Sequence, residues 1–354
     1  MVNVVVTGAT GNVGTAVVEA LRESDQVERV VAVARRLPGA DHQPDVTWLS
    51  ADISRDDLTA AMVGADVLVH LAWRFQPTRD PRQTWESNVV GSLRTFEAAR
   101  TAGVRSIVHA SSVGAYSPFD PAAPDRRVDE SWPTDAIPTA AYGTQKSYLE
   151  RSLDAFELAN PDIRVVRIRS AFVFQREAAP EQRRIFAGPF LAGRLLRSPL
   201  LPVVPVPRDL RFQTVHAEDL AAAYLAAVLM PVSGAFNVAA DPVVRAPELA
   251  EVLRARPVQV RPGLVRAGLG AAFRMRLAPA EPGLLDLFLS LPVMDVTRAR
   301  HELAWTPRHS STDALTAFVD GLRRPVGGPT PPLDVHAGGP GRLGELATGV
   351  GQRE

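Results

Sequence analysis

Along the first half of the chain, short apolar runs alternate with stretches whose apolar residues recur three or four apart. Val2-Asn3-Val4-Val5-Val6 reads as a buried strand, and Val13, Val17, Val18 and Leu21 mark one face of a following helix. Residues 30–34, 46–49, 67–72, 106–110 and 164–168 are further apolar strand candidates. Helices are expected between them at 56–62 with Ser54 as cap, at 84–101 ended by Gly103, and at 141–158 before Pro161. This alternation predicts an α/β chain, a Rossmann-type doubly wound parallel sheet with helices on both faces. Past residue 174 the alternation breaks down into a smaller, mostly helical region. There the pattern predicts a helix at 217–229, a short strand at 235–238, a helix at 247–254, apolar helical stretches within 262–294 and a last helix at 312–322. From residue 324 onward Gly and Pro accumulate without period, which predicts a disordered tail over 324–354.

Between the first strand and the first helix lies Thr7-Gly8-Ala9-Thr10-Gly11-Asn12-Val13-Gly14. Gly8 allows a tight turn, Gly11 lets the main chain approach a pyrophosphate, and Gly14 lets helix and strand pack closely. The free N–H groups and positive dipole end of the helix then face the phosphates. Glycines also occur in plain turns, but a strand before and a helix after favour the nucleotide reading. Residues 1–174 are thus expected to bind NAD or NADP. Residues 175–323 are expected to bind substrate, with the chain crossing back to the sheet near 212–240.

Composition narrows the classes. The chain has 354 residues, enough for a sizeable core, and a formal net charge of +0, which gives no sign of nucleic acid or membrane-surface binding. It has no cysteine, which excludes disulfides, thiol catalysis and cysteine metal sites and agrees with a cytoplasmic protein. No basic segment precedes the first strand, so no secretory signal is expected, and no apolar stretch is long enough for a bilayer. His301-Glu302 lacks partners at ligand spacing, so no metal is expected.

Tyr142-Gly143-Thr144-Gln145-Lys146 places a phenol and an ammonium four residues apart on one helix face. A nearby ammonium favours the phenolate and lowers a tyrosine pKa from about 10, as acid–base work near neutral pH requires. An isolated pair at this spacing is more often an exposed one. Ser111-Ser112 follows the fifth strand, at the end where parallel sheets hold ligands. A turn or cap is the commoner duty of such serines.

Together these motifs resemble the extended branch of the short-chain dehydrogenase/reductase superfamily, the NAD-dependent epimerase/dehydratase family, over roughly residues 2 to 322. The glycine stretch matches TGxxGxxG, which implies that Gly8, Thr10, Gly11, Asn12, Val13 and Gly14 hold the cofactor. Asp52 and Ile53 match the segment at the adenine, and His70-Leu71-Ala72-Trp73 is similar to the stretch lining the cofactor. Asn88-Val89-Val90-Gly91 matches the helix under the active site, and Ser111-Ser112-Val113-Gly114-Ala115-Tyr116 is similar to SSxxxY. The resemblance implies Ser112, Tyr142 and Lys146 as catalytic residues: Ser112 orients the substrate oxygen, Tyr142 transfers the proton, and Lys146 bonds the nicotinamide ribose. Val215-His216-Ala217-Glu218-Asp219 and Phe236-Asn237-Val238 resemble later family segments. Two places depart from the family. Arg169-Ser170-Ala171-Phe172-Val173-Phe174-Gln175 lacks the proline and glycine of RPxxVYG. Phe212 stands where many sugar-nucleotide enzymes carry a diphosphate-binding arginine, with Arg211 one earlier, which weighs against a nucleotide-sugar substrate.

No carboxylate closes the second strand. Arg35 and Arg36 stand there instead, which favours NADP over NAD because guanidinium groups suit a phosphate; solvated loop charges are the plain alternative. The region 182–211, with Arg183, Arg184, Phe186, Phe190, Arg194, Arg197, Arg208 and Arg211, should roof an anionic or amphipathic substrate, although a solvated face is the default for any single arginine. The expected function is an NAD(P)-dependent oxidoreductase acting on a small molecule at a carbonyl or carbinol carbon. The rivals are a nucleotide-sugar epimerase or dehydratase with retained NAD, and a non-catalytic dinucleotide sensor. The resemblance also implies a homodimer through the helices at 84–101 and 141–158.

Overall fold

In a computed structural model of the chain, seven strands form one parallel sheet. Their order is Gly234–Val238, Arg164–Ser170, Ser106–Ser112, Val67–His70, Val2–Thr7, Val27–Ala34, Thr47–Ser50. The structure describes residues 1–39, 41–75, 79–186 and 203–335. The chain steps outward from Val2–Thr7 to one edge, then returns and builds the other half. Thr7 pairs with Val33 on one side and His70 on the other, so the reversal falls between Val2–Thr7 and Val67–His70. Such a reversal opens a crevice at the strands' carboxyl ends.

Both faces of the sheet are covered, and the strands are apolar on both for that reason. Val4 and Val6 enter the core with Val17, Leu21, Leu220 and Tyr224, while Val5 enters the opposite core with Leu68, Phe96 and Leu149. Adjacent residues of a strand point to opposite faces, so one unbroken valine run feeds two cores. The helix Ala217–Leu229 and strand Gly234–Val238 bring the chain back to the sheet from the C-terminal half. Beyond the sheet edge, Phe172–Phe174 pairs in parallel with Thr214–His216.

Several local expectations shift. The second helix spans only Thr59–Met62, and Ser54 does not cap it; its hydroxyl donates to Asp52 Oδ1 at 2.7 Å. The helix expected at 84–101 is three pieces: Pro81–Trp85, a wide turn Glu86–Val90, and Gly91–Thr101. The wide turn carries Asn88, and such insertions in helices recur where a side chain must be re-aimed.

The tail also differs from expectation where it is described. Thr330 is buried and donates to the Thr10 carbonyl at 2.8 Å, Leu333 is buried, and Arg184 donates to the Pro332 carbonyl at 2.7 Å. Gly328 N donates to Leu333 O at 3.1 Å, folding the segment on itself. A turn-rich strap held by tertiary contacts has no period to read. Residues 336–354 lie outside the described residues. Among the described residues no helix is long and apolar enough to cross a membrane.

Candidate active site

A cleft of about 740 Å³ opens at the strand reversal. One end is walled by main chain. Gly8 has φ of +73°, and a Cβ there would lie 2.7 Å from Ala72 Cα. A Cβ on Gly14 would lie 2.2 Å from the Gly8 carbonyl oxygen, so helix and turn touch backbone to backbone. Gly8, Thr10, Gly11, Asn12, Val13 and Gly14 all line the cleft. Gly11 begins the helix Asn12–Arg22 without a side-chain cap, leaving its amide end to a ligand. Asn12 is pinned in place: its Nδ2 donates to Val173 O at 3.0 Å, and Gln175 Nε2 donates to its Oδ1 at 2.9 Å. Gln175, where the resemblance would put glycine, thus braces the turn.

Arg35, Arg36, Asp52 and Ile53 line the same end. Burial pushes the Asp52 carboxyl up, but hydrogen bonds from Ser54 and the charges of Arg35 and Arg55 outweigh it and hold it below the ordinary carboxylate range. Leu71, Ala72, Trp73 and Asn88 line the middle. Asn88 Oδ1 accepts from Arg74 N at 2.7 Å, and its Nδ2 donates to Gln145 Oε1 at 2.9 Å. Main-chain ends and an uncapped helix start suit a dinucleotide's phosphates, and paired guanidinium groups suit its adenosine end.

Ser112, Tyr142 and Lys146 meet in the cleft. Strand alternation splits the two serines: Ser111 donates to buried Glu150, while Ser112 faces Tyr142. Ser112 Oγ accepts from Gly114 N at 3.0 Å. The phenol ring lies on Gly114, where a Cβ would come 2.9 Å from Tyr142 Cε1. Trp73 meets the same ring edge-on at 5.5 Å, and Phe75 stacks on it at 5.2 Å.

The electrostatics overturn one expectation. Tyr142 is not primed toward phenolate. Burial pushes its pKa up to about 12, against the pull of the Ser112 hydrogen bond. Lys146 Nζ donates to the Ala110 carbonyl at 2.6 Å and lies 3.6 Å from the Trp73 ring centroid, but 6.0 Å from that of Tyr142. Burial lowers the lysine to about 7, partly offset by Glu150. An ammonium this far into the protein is itself destabilised, and its interaction goes to a carbonyl and an indole face.

Sequence reasoning missed the polar layer beneath. Glu150 accepts from Arg169 Nε at 2.9 Å and Nη2 at 3.0 Å, and Arg169 Nη1 donates to Tyr116 OH at 3.0 Å. The available signal was Glu150 four residues after Lys146 on one helix face. His70 is hydrogen-bonded as expected of a core histidine, Nδ1 to Thr7 Oγ1 at 2.7 Å and Nε2 to Ser92 Oγ at 2.8 Å. His109 is not: neither ring nitrogen has a hydrogen-bond partner, and burial holds the ring neutral. The cluster of His216, Glu218 and His309, also unforeseen, lies at a helix start, where His216 Nδ1 accepts from Glu218 N at 3.4 Å.

Among the described residues of the roof, Glu181, Gln182, Ile185 and Phe186 line the cleft, whereas Arg183, Arg184, Arg208 and Arg211 do not. Phe190, Arg194 and Arg197 lie outside the described residues. Arg211 instead stacks over Phe119 at 3.6 Å.

The model of the NAD dependent epimerase/dehydratase family matches residues 4–239. A UDP-glucose 4-epimerase of Mycolicibacterium smegmatis is 29% identical, with 90% of this chain and 97% of that protein covered. The solved UDP-glucose 4-epimerase of Thermotoga maritima with UDP-glucose superposes with a TM-score of 0.68 at 20% identity, covering 91% of this chain and 99% of that one. The Thermus thermophilus UDP-glucose 4-epimerase in complex with NAD gives 0.66 at 22% identity, covering 92% and 100%.

Proposed function

Because this chain belongs to the NAD dependent epimerase/dehydratase family, we propose that it is an NAD(P)-dependent oxidoreductase working at a carbonyl or carbinol carbon, with Tyr142 as proton carrier. One observation carries the reading: Ser112, Tyr142 and Lys146 line the same cleft as the glycine turn. Residues 1–174 hold the cofactor, and the cleft walls from 175–323 hold the substrate.

A bound reduced nicotinamide supplies hydride. Ser112 orients the carbonyl oxygen. Tyr142, held protonated by burial to about 12, donates its proton to that oxygen as the carbon receives hydride. A protonated phenol is in the form needed to act as a general acid toward a carbonyl oxygen. Lys146 stands one helical turn from Tyr142 and, with a cofactor bound, would hold a hydroxyl of its nicotinamide ribose. Arg35 and Arg36 would hold a phosphate on the adenosine ribose, so NADP is favoured over NAD. Trp85 at the end of the helix Pro81–Trp85, Leu93 on Gly91–Thr101 and Tyr148 on Ala141–Ala159 are exposed and would offer an apolar face for a homodimer.

The test is turnover: with purified protein and a panel of carbonyl compounds, reduced nicotinamide should be consumed in step with alcohol formed. Isomerised UDP-sugar with no net cofactor consumption would favour the epimerase reading instead. Absence of binding to NADH and NADPH alike would end both.

A further inference from the structure

Another part of the cleft is walled by side chains. Phe172 meets Phe288 edge-on at 5.1 Å and Phe212 at 5.7 Å, and Phe212 meets Phe288 at 5.1 Å. The helix Pro282–Ser290 adds Leu284 and Leu287 to this wall. Across from it, Phe75 covers Tyr142 and meets Phe186 at 5.6 Å.

Charge is distributed unevenly. Among the described residues, the cations lining the cleft are Arg35 and Arg36 at the nucleotide end, Lys146 below the phenol, and Arg74, whose main chain is bonded to Asn88. None belongs to the aromatic wall. Phe212 is held inward by an antiparallel bridge to Val244, with Phe212 N donating to Val244 O at 3.0 Å. Extended backbone sends neighbours to opposite sides, so the adjacent Arg211 is turned onto Phe119. A diphosphate set against this wall would lose hydration without gaining a guanidinium from the described wall residues. Rings stacked edge to face against aliphatic side chains instead reward burial of apolar surface.

We propose that this chamber binds an uncharged, ring-containing apolar ketone and presents its carbonyl to Ser112 and Tyr142. The assignment rests on Tyr142 as proton carrier. The carbonyl carbon gains hydride from the reduced nicotinamide dinucleotide, the oxygen gains the Tyr142 proton, and solvent returns a proton to the phenolate. The ketone becomes a secondary alcohol and the dinucleotide is oxidised.

The experiment uses the full chain with NADPH, 4-phenylcyclohexanone as apolar probe and UDP-glucose as charged probe. Binding is read by tryptophan fluorescence and ligand-observed NMR, and turnover by loss of reduced-nicotinamide absorbance. The ketone should bind and UDP-glucose should not. Phe212→Arg should raise the KM for the ketone about tenfold or more with NADPH affinity unchanged, and Phe212→Leu should restore most of it. If Phe212→Arg fails to fold, Phe212→Leu and the wild-type comparison of the two probes still decide. Ketone binding without reduction would keep the chamber and remove Tyr142 as donor. Binding or turnover of UDP-glucose with no ketone binding would overturn the chamber and leave the cofactor end untouched.

Discussion

At the nucleotide end of the cleft, Gly8 and Gly14 bring main chain against main chain, and an uncapped helix offers its amides. At the far end, Phe172, Phe212 and Phe288 close the wall with rings drawn from segments more than thirty residues apart. In our proposal the first end would take any ligand with phosphates, because amides and a helix start are generic anion partners. The second, as proposed, would select by shape and by the absence of a cation among its described aromatic wall residues. The same protein thus separates a transferable half from a selective half, with Tyr142 and Ser112 at the junction.

The junction should give the largest effect. Tyr142→Phe keeps the ring on Gly114 and removes the proton, so turnover should fall about 10²- to 10⁴-fold. Affinities at both ends should stay within about twofold. Steady-state kinetics with cofactor titrations check this, and an unchanged rate would remove the junction's role.

Next in size is a dependence on acid that belongs to the nucleotide end. His70 bonds Thr7 and Ser92 beneath that end, and burial lowers its pKa from 6.5 to about 3. Between these values the unfolded chain binds a proton that the folded one refuses. Its contribution is therefore full above pH 6.5 and is lost as pH falls, at up to about 1.4 kcal/mol per unit. Denaturant melts across pH should show this slope, and His70→Leu should reduce it by up to about 1.4 kcal/mol per unit, leaving the part that buried His109 contributes. A slope altered by Phe288→Leu but not by His70→Leu would break the comparison.

A third effect sharpens cofactor choice. Arg35→Ala combined with Arg36→Ala should weaken NADPH binding about 10- to 100-fold, the worth of charged hydrogen bonds, and NADH much less. Equal losses for both nucleotides would assign the arginines to general phosphate attraction. The smallest is Thr330→Val, which removes the strap's hydrogen bond to Thr10 and should cost about 1 kcal/mol. Thermal melts check it. A loss of ketone binding rather than of stability would place the strap in the wrong half.

The amide end was legible beforehand because its parts are consecutive: a strand, a turn of fixed glycine spacing and a helix. The sheet was legible for the same reason, since each buried strand announces itself as a local apolar run. Tyr142, Lys146 and Ser112 were readable as motifs, but the direction of the Tyr142 shift was not. Spacing places the ammonium near the phenol, whereas burial depth and the Ala110 carbonyl depend on how the helix docks. The 324–335 strap escaped notice because turns held by distant contacts leave no periodic trace.

What the amino-acid order determined alone is the family, the parallel sheet and the glycine turn between its first strand and helix, since these rest on short-range pattern and on backbone conformations that glycine permits. Only the tertiary structure decided that Phe172, Phe212 and Phe288 share one wall, that Arg211 turns from it, and that burial raises the pKa of the phenol. Contacts between residues far apart in the chain, and the loss of water around them, exist only once the chain has closed.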